Sequence, residues 1–223
     1  MSRIAMLHTS FVFLNNETAL TDMINQQFPN DELIHFVDSD VLATVIAAGE
    51  ISEDSAERII LLAQAAERAG ADVIFSACSS LGPAIEQARS RVSVPIVKVD
   101  EAMTKAAAAS GSRVGVLATV LTTLAPTAGL IETFAKDAGR DVEILTRLAE
   151  GAFQTMMSGD PQKHDEMVYQ AAQMLKDDGV DMIVLAQASM TRLAAGLSEH
   201  LHLPVLSSPA MGIKHLGEVL NSQ

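Results

Sequence analysis

Gly70-Ala71-Asp72-Val73-Ile74-Phe75-Ser76-Ala77-Cys78-Ser79-Ser80 and Gly179-Val180-Asp181-Met182-Ile183-Val184-Leu185-Ala186-Gln187-Ala188-Ser189 are the two stretches that decide how this chain is read. Each runs from a glycine through an aspartate into an unbroken apolar segment, then ends in small residues carrying a hydroxyl, thiol or amide. A short continuous apolar run fits a strand covered on both faces, as in a parallel sheet. The two stretches lie 109 residues apart, and the same offset brings Glu57 onto Glu166, Ala63-Gln64 onto Ala172-Gln173 and Pro95 onto Pro204 without a gap. An offset of 110 brings Arg3 onto Arg113 and Thr9 onto Thr119. The chain therefore reads as an internal duplication.

Further strands are expected at Arg3 to His8, Leu33 to Val37, Pro95 to Val99, Arg113 to Ala118, Val142 to Leu145 and Pro204 to Leu206. Long Ala-rich helical runs separate them. Ser52 opens the helix that continues to Ala69, and Asp160-Pro161 sets a capping side chain before a first-turn proline in a helix reaching about Asp178. Strands alternating with helices of this length define the fold class as α/β with parallel sheets. The duplication predicts two such halves related by a pseudo-twofold, with equivalent strand ends facing one cleft. The first half takes residues 1–110, completed by C-terminal residues 207–223, and the second takes 111–206; the boundary falls near Ser110-Gly111-Ser112.

Composition narrows the function. Fifteen Lys plus Arg against 28 Asp plus Glu give 223 residues a net charge of -13, so the basic stripe that nucleic acid needs is missing, and anionic membrane surfaces are equally disfavoured. A hydrophobic fraction of 48% is ample for a buried core. No apolar run reaches membrane-spanning length, and Ile4 to Leu7 is too short for a signal-peptide core, so a cytoplasmic location is expected. A single cysteine, Cys78, excludes an internal disulfide and a multi-thiolate metal site. The chain has no G-x-G-x-x-G, no phosphate-loop motif and no G-x-S-x-G.

Four strand ends carry the candidate chemistry: His8-Thr9-Ser10, Cys78-Ser79-Ser80, Thr119 with Thr122 and Thr123, and Gln187-Ala188-Ser189. Ligands of open α/β folds sit outside the carboxyl ends of the strands, where the next helix offers free N–H groups. Such a mouth binds a carboxylate without Lys or Arg, and none lies within these clusters. Taken singly, each Ser or Thr is explained as a helix cap. Cys78 reads either as a buried apolar residue or as a thiol whose pKa is lowered by the helix that follows.

On these residues the chain resembles the aspartate/glutamate/hydantoin racemase superfamily. Ala77-Cys78-Ser79-Ser80 resembles its first thiol motif, Ala118-Thr119-Val120-Leu121-Thr122 its "ATxxT" motif, and Ile183 to Ser189 stands in the place of its second thiol motif. The resemblance implies two Rossmann-like halves, a substrate carboxylate held at their interface, and proton transfer at the adjacent carbon without metal or organic cofactor. Cys78 would be the acid/base, with Thr9, Ser10, Ser79, Ser80, Thr119, Thr122, Gln187 and Ser189 binding substrate. The second thiol position holds Gln187, which hydrogen-bonds but has no proton equilibrium near neutral pH. Symmetrical two-thiol racemisation is therefore in question. A racemase/isomerase-type enzyme is the first reading; a single-thiol decarboxylase, a Cys-nucleophile hydrolase or lyase, and a carboxylate-binding protein without turnover are the alternatives.

Outside the clusters, His164 in a first helical turn is a second candidate acid/base as well as an ordinary capping or surface histidine. Asp38 and Glu150, in strand-to-helix connections, are weaker candidates, and no His pair has metal-ligand spacing beyond His200 and His202 before Pro204. No metal is expected, the expected partner is a small carboxylate substrate, and the sequence leaves room for a homo-oligomer.

Overall fold

A computed structural model describes residues 1–11, 14 and 19–222. The chain divides into two units, Met1–Glu101 with Pro209–Gln223, and Ala102–Ser208. In the first, β1 (Arg3–His8), β2 (Glu32–Val37), β3 (Val73–Ser76) and β4 (Ile96–Lys98) form a parallel sheet in the order β2-β1-β3-β4. In the second, β5 (Arg113–Ala118), β6 (Glu143–Leu148), β7 (Met182–Leu185) and β8 (Val205–Ser207) repeat that order as β6-β5-β7-β8, again parallel. The α/β class read from the sequence holds in both units.

Helices α1 (Ala19–Gln27), α2 (Val41–Ala48), α3 (Glu53–Arg68) and α4 (Gly82–Arg89) belong to the first unit. After α5 (Glu101–Ser110), the second unit holds α6 (Leu121–Asp137), α7 (Ala152–Met157), α8 (Pro161–Asp177) and α9 (Ala194–Leu201), before α10 (Ser208–Leu220) returns to the first. Alternate residues of β1 and β3 serve opposite faces of the first sheet, the period-two rule of a strand. Ile4, Met6, Val73 and Phe75 meet Leu20 and Ile24 of α1 and Ile213 and Leu216 of α10. Ala5, Leu7 and Ile74 meet Val45, Ile59, Ile60 and Ile85 from α2 to α4. Each such fully buried aliphatic or aromatic side chain contributes about 1.5–3 kcal/mol from burial. In the second unit Leu117, Ile183 and Leu185 pack with Val168, Leu175 and Leu197 of α8 and α9. The return of α10 brings Gly212 against Val99: a methyl group there would lie 2.5 Å from the Val99 carbonyl oxygen.

The matched residues of the duplication have local work. Gly70 and Gly179, just past α3 and α8, adopt φ of +81° and +85°, the left-handed helix exit that favours glycine. Asp72 accepts the Arg3 backbone N–H at 2.7 Å, and Asp181 accepts those of Ser112 and Arg113 at 2.9 and 3.1 Å. The helix starts are capped as their sequences require: Ser52 accepts from Ser55 N at 3.1 Å and Asp160 from Lys163 N at 2.9 Å.

Two boundaries differ from the sequence reading. The Ala-rich helix α5, expected to close the first half, groups with the second from Ala102 onward, so the division falls before the helix. Strand β6 runs on to Leu148 because it is an edge strand, where polar Thr146 and Arg147 belong to the pairing although they end the apolar run.

Candidate active site

Strand register assembles the first cluster. Leu7 pairs with Ser76, and Ser76 with Lys98. Two residues after these partners in each chain segment come Thr9, Cys78 and Asp100, all just beyond the carboxyl edge of the sheet. Cys78 has extended backbone and is followed by a 3-10 turn, Ser79–Leu81, which leads into α4. The residue as a whole is half-buried, with its sulfur turned inward. Burial pushes the Cys78 pKa up, outweighing the Thr9 hydroxyl and the N–H groups of Ser80 and Leu81, which favour thiolate; the nearby Asp100 adds to the rise. The expected lowering is therefore reversed. The N–H groups do reach the sulfur, but desolvation of the thiolate is the larger effect. At neutral pH the sulfur holds its proton.

Around the thiol, Thr9 is buried and its hydroxyl hydrogen-bonds Cys78. Burial raises the Asp100 pKa, while a hydrogen bond with the Ser79 side chain and the charge of Lys98 hold it down. Lys98 is itself buried and pairs with Glu86 of α4. Arg89 joins Glu86 at 3.5 Å and Glu101 at 2.7 Å. Ser79 and Ser80 are buried and Ser10 is half-buried at the same edge.

On the β2 side, His8 Nε2 lies 3.0 Å from His35 Nδ1. Burial, then the neighbouring His35, lowers the His8 pKa to about 4, so this ring is neutral near pH 7. Asp38 accepts the N–H groups of Asp40 and Val41 at 3.1 and 3.0 Å, at the start of α2, and also holds Arg58. It caps the helix. Glu150 is exposed.

The equivalent edge of the second unit is arranged differently. Gln187, extended and followed by the 3-10 turn Ala188–Leu193, turns its amide oxygen onto the start of α6. Oε1 accepts from Thr119 N at 2.6 Å, Val120 N at 3.1 Å and Thr119 Oγ1 at 3.1 Å. Two backbone N–H donors fix the amide's orientation, so its NH2 group faces away from them. The N–H groups expected to await a carboxylate at Thr119 are satisfied by the chain itself. Thr122 and Ser189 lie half-buried at this edge. His164 is buried, and its Nδ1 is 2.8 Å from Asp165, which also takes both arms of Arg192 at 2.5 Å. Burial raises Asp165, yet these partners hold its pKa below the usual carboxylate range. His164 is thus tied to a salt-bridged carboxylate rather than standing as a surface residue.

Sequence reasoning missed Asp100, Lys98, the His8–His35 pair and the Asp165–Arg192 pair. Asp100 stands one residue past the strand expected at Pro95 to Val99 and two past the observed β4, the same offset that Cys78 has from β3, and that offset was the available signal. Among the described residues no group of three or more His, Cys, Asp or Glu is arranged to hold a metal ion, and no helix is long and apolar enough to cross a membrane.

Two parallel sheets of identical strand order, each with small polar residues at its carboxyl edge, define the class, and the sequence profile agrees: residues 15–216 match the Asp/Glu/Hydantoin racemase family. The chain belongs to that family. A search of curated proteins returned no match. Among solved structures, the glutamate racemase isoform RacE1 from Bacillus anthracis superposes with a TM-score of 0.77 at 16% identity, covering 99% of this chain and 82% of that one. Allantoin racemase from Klebsiella pneumoniae gives 0.67 at 18% identity, covering 99% and 88%. A Gly74Cys mutant of arylmalonate decarboxylase gives 0.61 at 14% identity, covering 98% and 93%. At these identities the likeness is one of fold.

Proposed function

We propose that the protein is a cofactor-independent enzyme of the racemase/isomerase type that moves a proton at the carbon next to the carboxylate of a small acid or amino acid. The observation that carries the reading is half-buried Cys78 at the carboxyl edge of the first sheet, with backbone N–H groups on its sulfur. In the isomerase reaction Cys78, once its proton has gone to solvent, takes the α-proton as thiolate and leaves an enediolate; the resulting thiol returns a proton to carbon on that same face, and inversion of the carbon needs a donor on the other face. Thr9, Ser10, Ser79 and Ser80 would hold the carboxylate and enolate oxygens beside it. Thr119, Thr122, Gln187 and Ser189 would serve substrate too, with Gln187 offering its amide NH2 as donor and Thr119 acting by fixing that amide. His164, bonded to Asp165, is the second candidate acid/base. A cytoplasmic location is part of this proposal.

A second reading is favoured by one observation, that Gln187 stands where a second thiol is expected. Loss of carbon dioxide from a malonate-like substrate leaves a carbanion, which the Cys78 thiol protonates; water then restores the sulfur's proton. A resting thiol with a raised pKa suits this donor role. The solved structures named above include both reaction types, glutamate and allantoin racemases and an arylmalonate decarboxylase. The test is a screen of amino acids, small dicarboxylates and arylmalonates in deuterium oxide, following α-deuteration and carbon dioxide release together. Exchange without carbon dioxide supports the isomerase, release with a single deuteration supports the decarboxylase, and neither on any substrate overturns both.

A further inference from the structure

The second unit has Gln187 rather than a thiol at its carboxyl edge, yet a buried ring and two charged groups are drawn together there. In a parallel sheet the chain leaves each strand at the carboxyl edge and returns along a helix before the next. Helix α8 makes that return between β6 and β7, so its first turn, with His164, lies toward the carboxyl edge. Arg192, in the turn that Gln187 opens after β7, meets it: Nη1 and Nη2 lie 2.5 Å from Oδ2 and Oδ1 of Asp165. Oδ1 of Asp165 is also 2.8 Å from Nδ1 of His164, a residue 1% exposed. A carboxylate held by both arms of a guanidinium is ionised, and an ionised carboxylate only accepts. Nδ1 therefore carries the hydrogen, and the neutral ring keeps Nε2 bare. The duplication adds an independent point. Positions 109 residues before His164, Asp165 and Arg192 hold Ser55, Ala56 and Pro83, none of them ionisable, so this set belongs to the half without the thiol.

We propose that Asp165 is the positioning residue of His164: seated by Arg192, it holds the Nδ1–H and leaves Nε2 as the atom that exchanges a proton with substrate. The proposal rests on the reading in which His164 is the second acid/base of the isomerase. When Nε2 takes the α-proton, an N–H bond forms as the C–H bond breaks, and the electron pair stays on the substrate as enediolate. The positive charge on the ring is then set against the Asp165 carboxylate. Return of the proton to carbon, or its loss to solvent, restores the neutral ring with the Nδ1–H unchanged. The next charges along α8 are engaged elsewhere: Lys163 pairs with Glu166 at 3.1 Å, and Asp160 caps the helix at Lys163 N. Helix α7, packed against α8, has no titratable side chain.

The experiment reads the ring nitrogens of His164 by long-range 1H–15N correlation at about pH 9, well above histidine's ordinary range, the signal being identified by its loss in His164→Gln. The native ring is expected as the Nδ1–H tautomer, and in Asp165→Ala it should shift toward the Nε2–H form that free histidine prefers. A native ring protonated at Nε2, or an unchanged tautomer in Asp165→Ala, overturns the proposal. Should that variant not fold, the native tautomer decides alone, Nδ1–H for the proposal and Nε2–H against it. Turnover on the screened substrate gives a second readout: kcat in Asp165→Ala should fall at least about tenfold with KM nearly unchanged, since Asp165 acts through the ring. Native kcat in Asp165→Ala beside an inactive His164→Gln overturns the positioning alone. Native turnover in His164→Gln overturns the acid/base reading of that residue and the proposal with it.

Discussion

The side-chain oxygen of Gln187 lies 2.6 Å from the backbone nitrogen of Thr119 and 3.1 Å from that of Val120, capping α6 from a different strand. Replacing it with Leu leaves those N–H groups and the Thr119 hydroxyl without their acceptor. Gln187→Leu is expected to lose about 1–3 kcal/mol of stability, read by urea denaturation, whereas Gln187→Glu keeps the acceptor and should lose less. A Leu variant as stable as the native protein would show that the cap contributes nothing.

The raised Cys78 pKa gives the two reactions opposite pH dependence. A base-initiated isomerisation uses the thiolate, so its rate climbs as pH rises toward and past the thiol's ordinary value of about 9. Protonation after decarboxylation uses the thiol, so that rate holds at neutral pH and is lost above the same range. For either reaction, iodoacetamide should label Cys78 more slowly than a free model thiol at pH 7, and labelling faster than the model thiol would contradict the burial argument.

His8 links stability to mild acid. Its ring ionises at about 4 in the folded chain and near 6.5 when unfolded, so the unfolded state binds the proton first as pH falls. The contribution is intact above pH 6.5 and is lost between there and about 4, to an extent on the order of 3 kcal/mol. Urea midpoints measured across that window should fall with decreasing pH, and the slope should flatten in His8→Phe. The same slope in the variant would assign the effect elsewhere.

Gly212 is held by space rather than by backbone conformation. Its added methyl group would meet the Val99 carbonyl at 2.5 Å, beside the edge that carries Asp100. Gly212→Ala should therefore destabilise by about 1–3 kcal/mol despite alanine's better helix propensity, which a thermal melt would show. A gain in melting temperature would mean that α10 shifts without resistance.

Much of the scaffold was legible because a doubly covered strand must be an unbroken apolar run. Arg3–His8 and Arg113–Ala118 were read to their ends for that reason. The strand Ile96–Lys98 was also expected, within Pro95 to Val99, but that its lysine is buried and that Asp100 beyond it reaches the carboxyl edge beside Cys78 depend on the register with β3. Cys78 was placed correctly at its strand end, but the direction of its pKa depends on how much water the finished fold removes, and no local pattern reports that. Gln187 lies 109 residues after Cys78, a match the sequence shows on its own. That its oxygen points back onto Thr119 is a side-chain direction, which sequence spacing leaves open.

The most direct measurement is turnover in deuterium oxide by the native protein and by Cys78→Ser, on whichever carboxylate the screen identifies. The account predicts deuterium on the face of the product that Cys78 serves, and loss of at least about a hundredfold in rate in the variant. Deuterium on both faces, retained at native rate in Cys78→Ser, would contradict it and turn attention to His164.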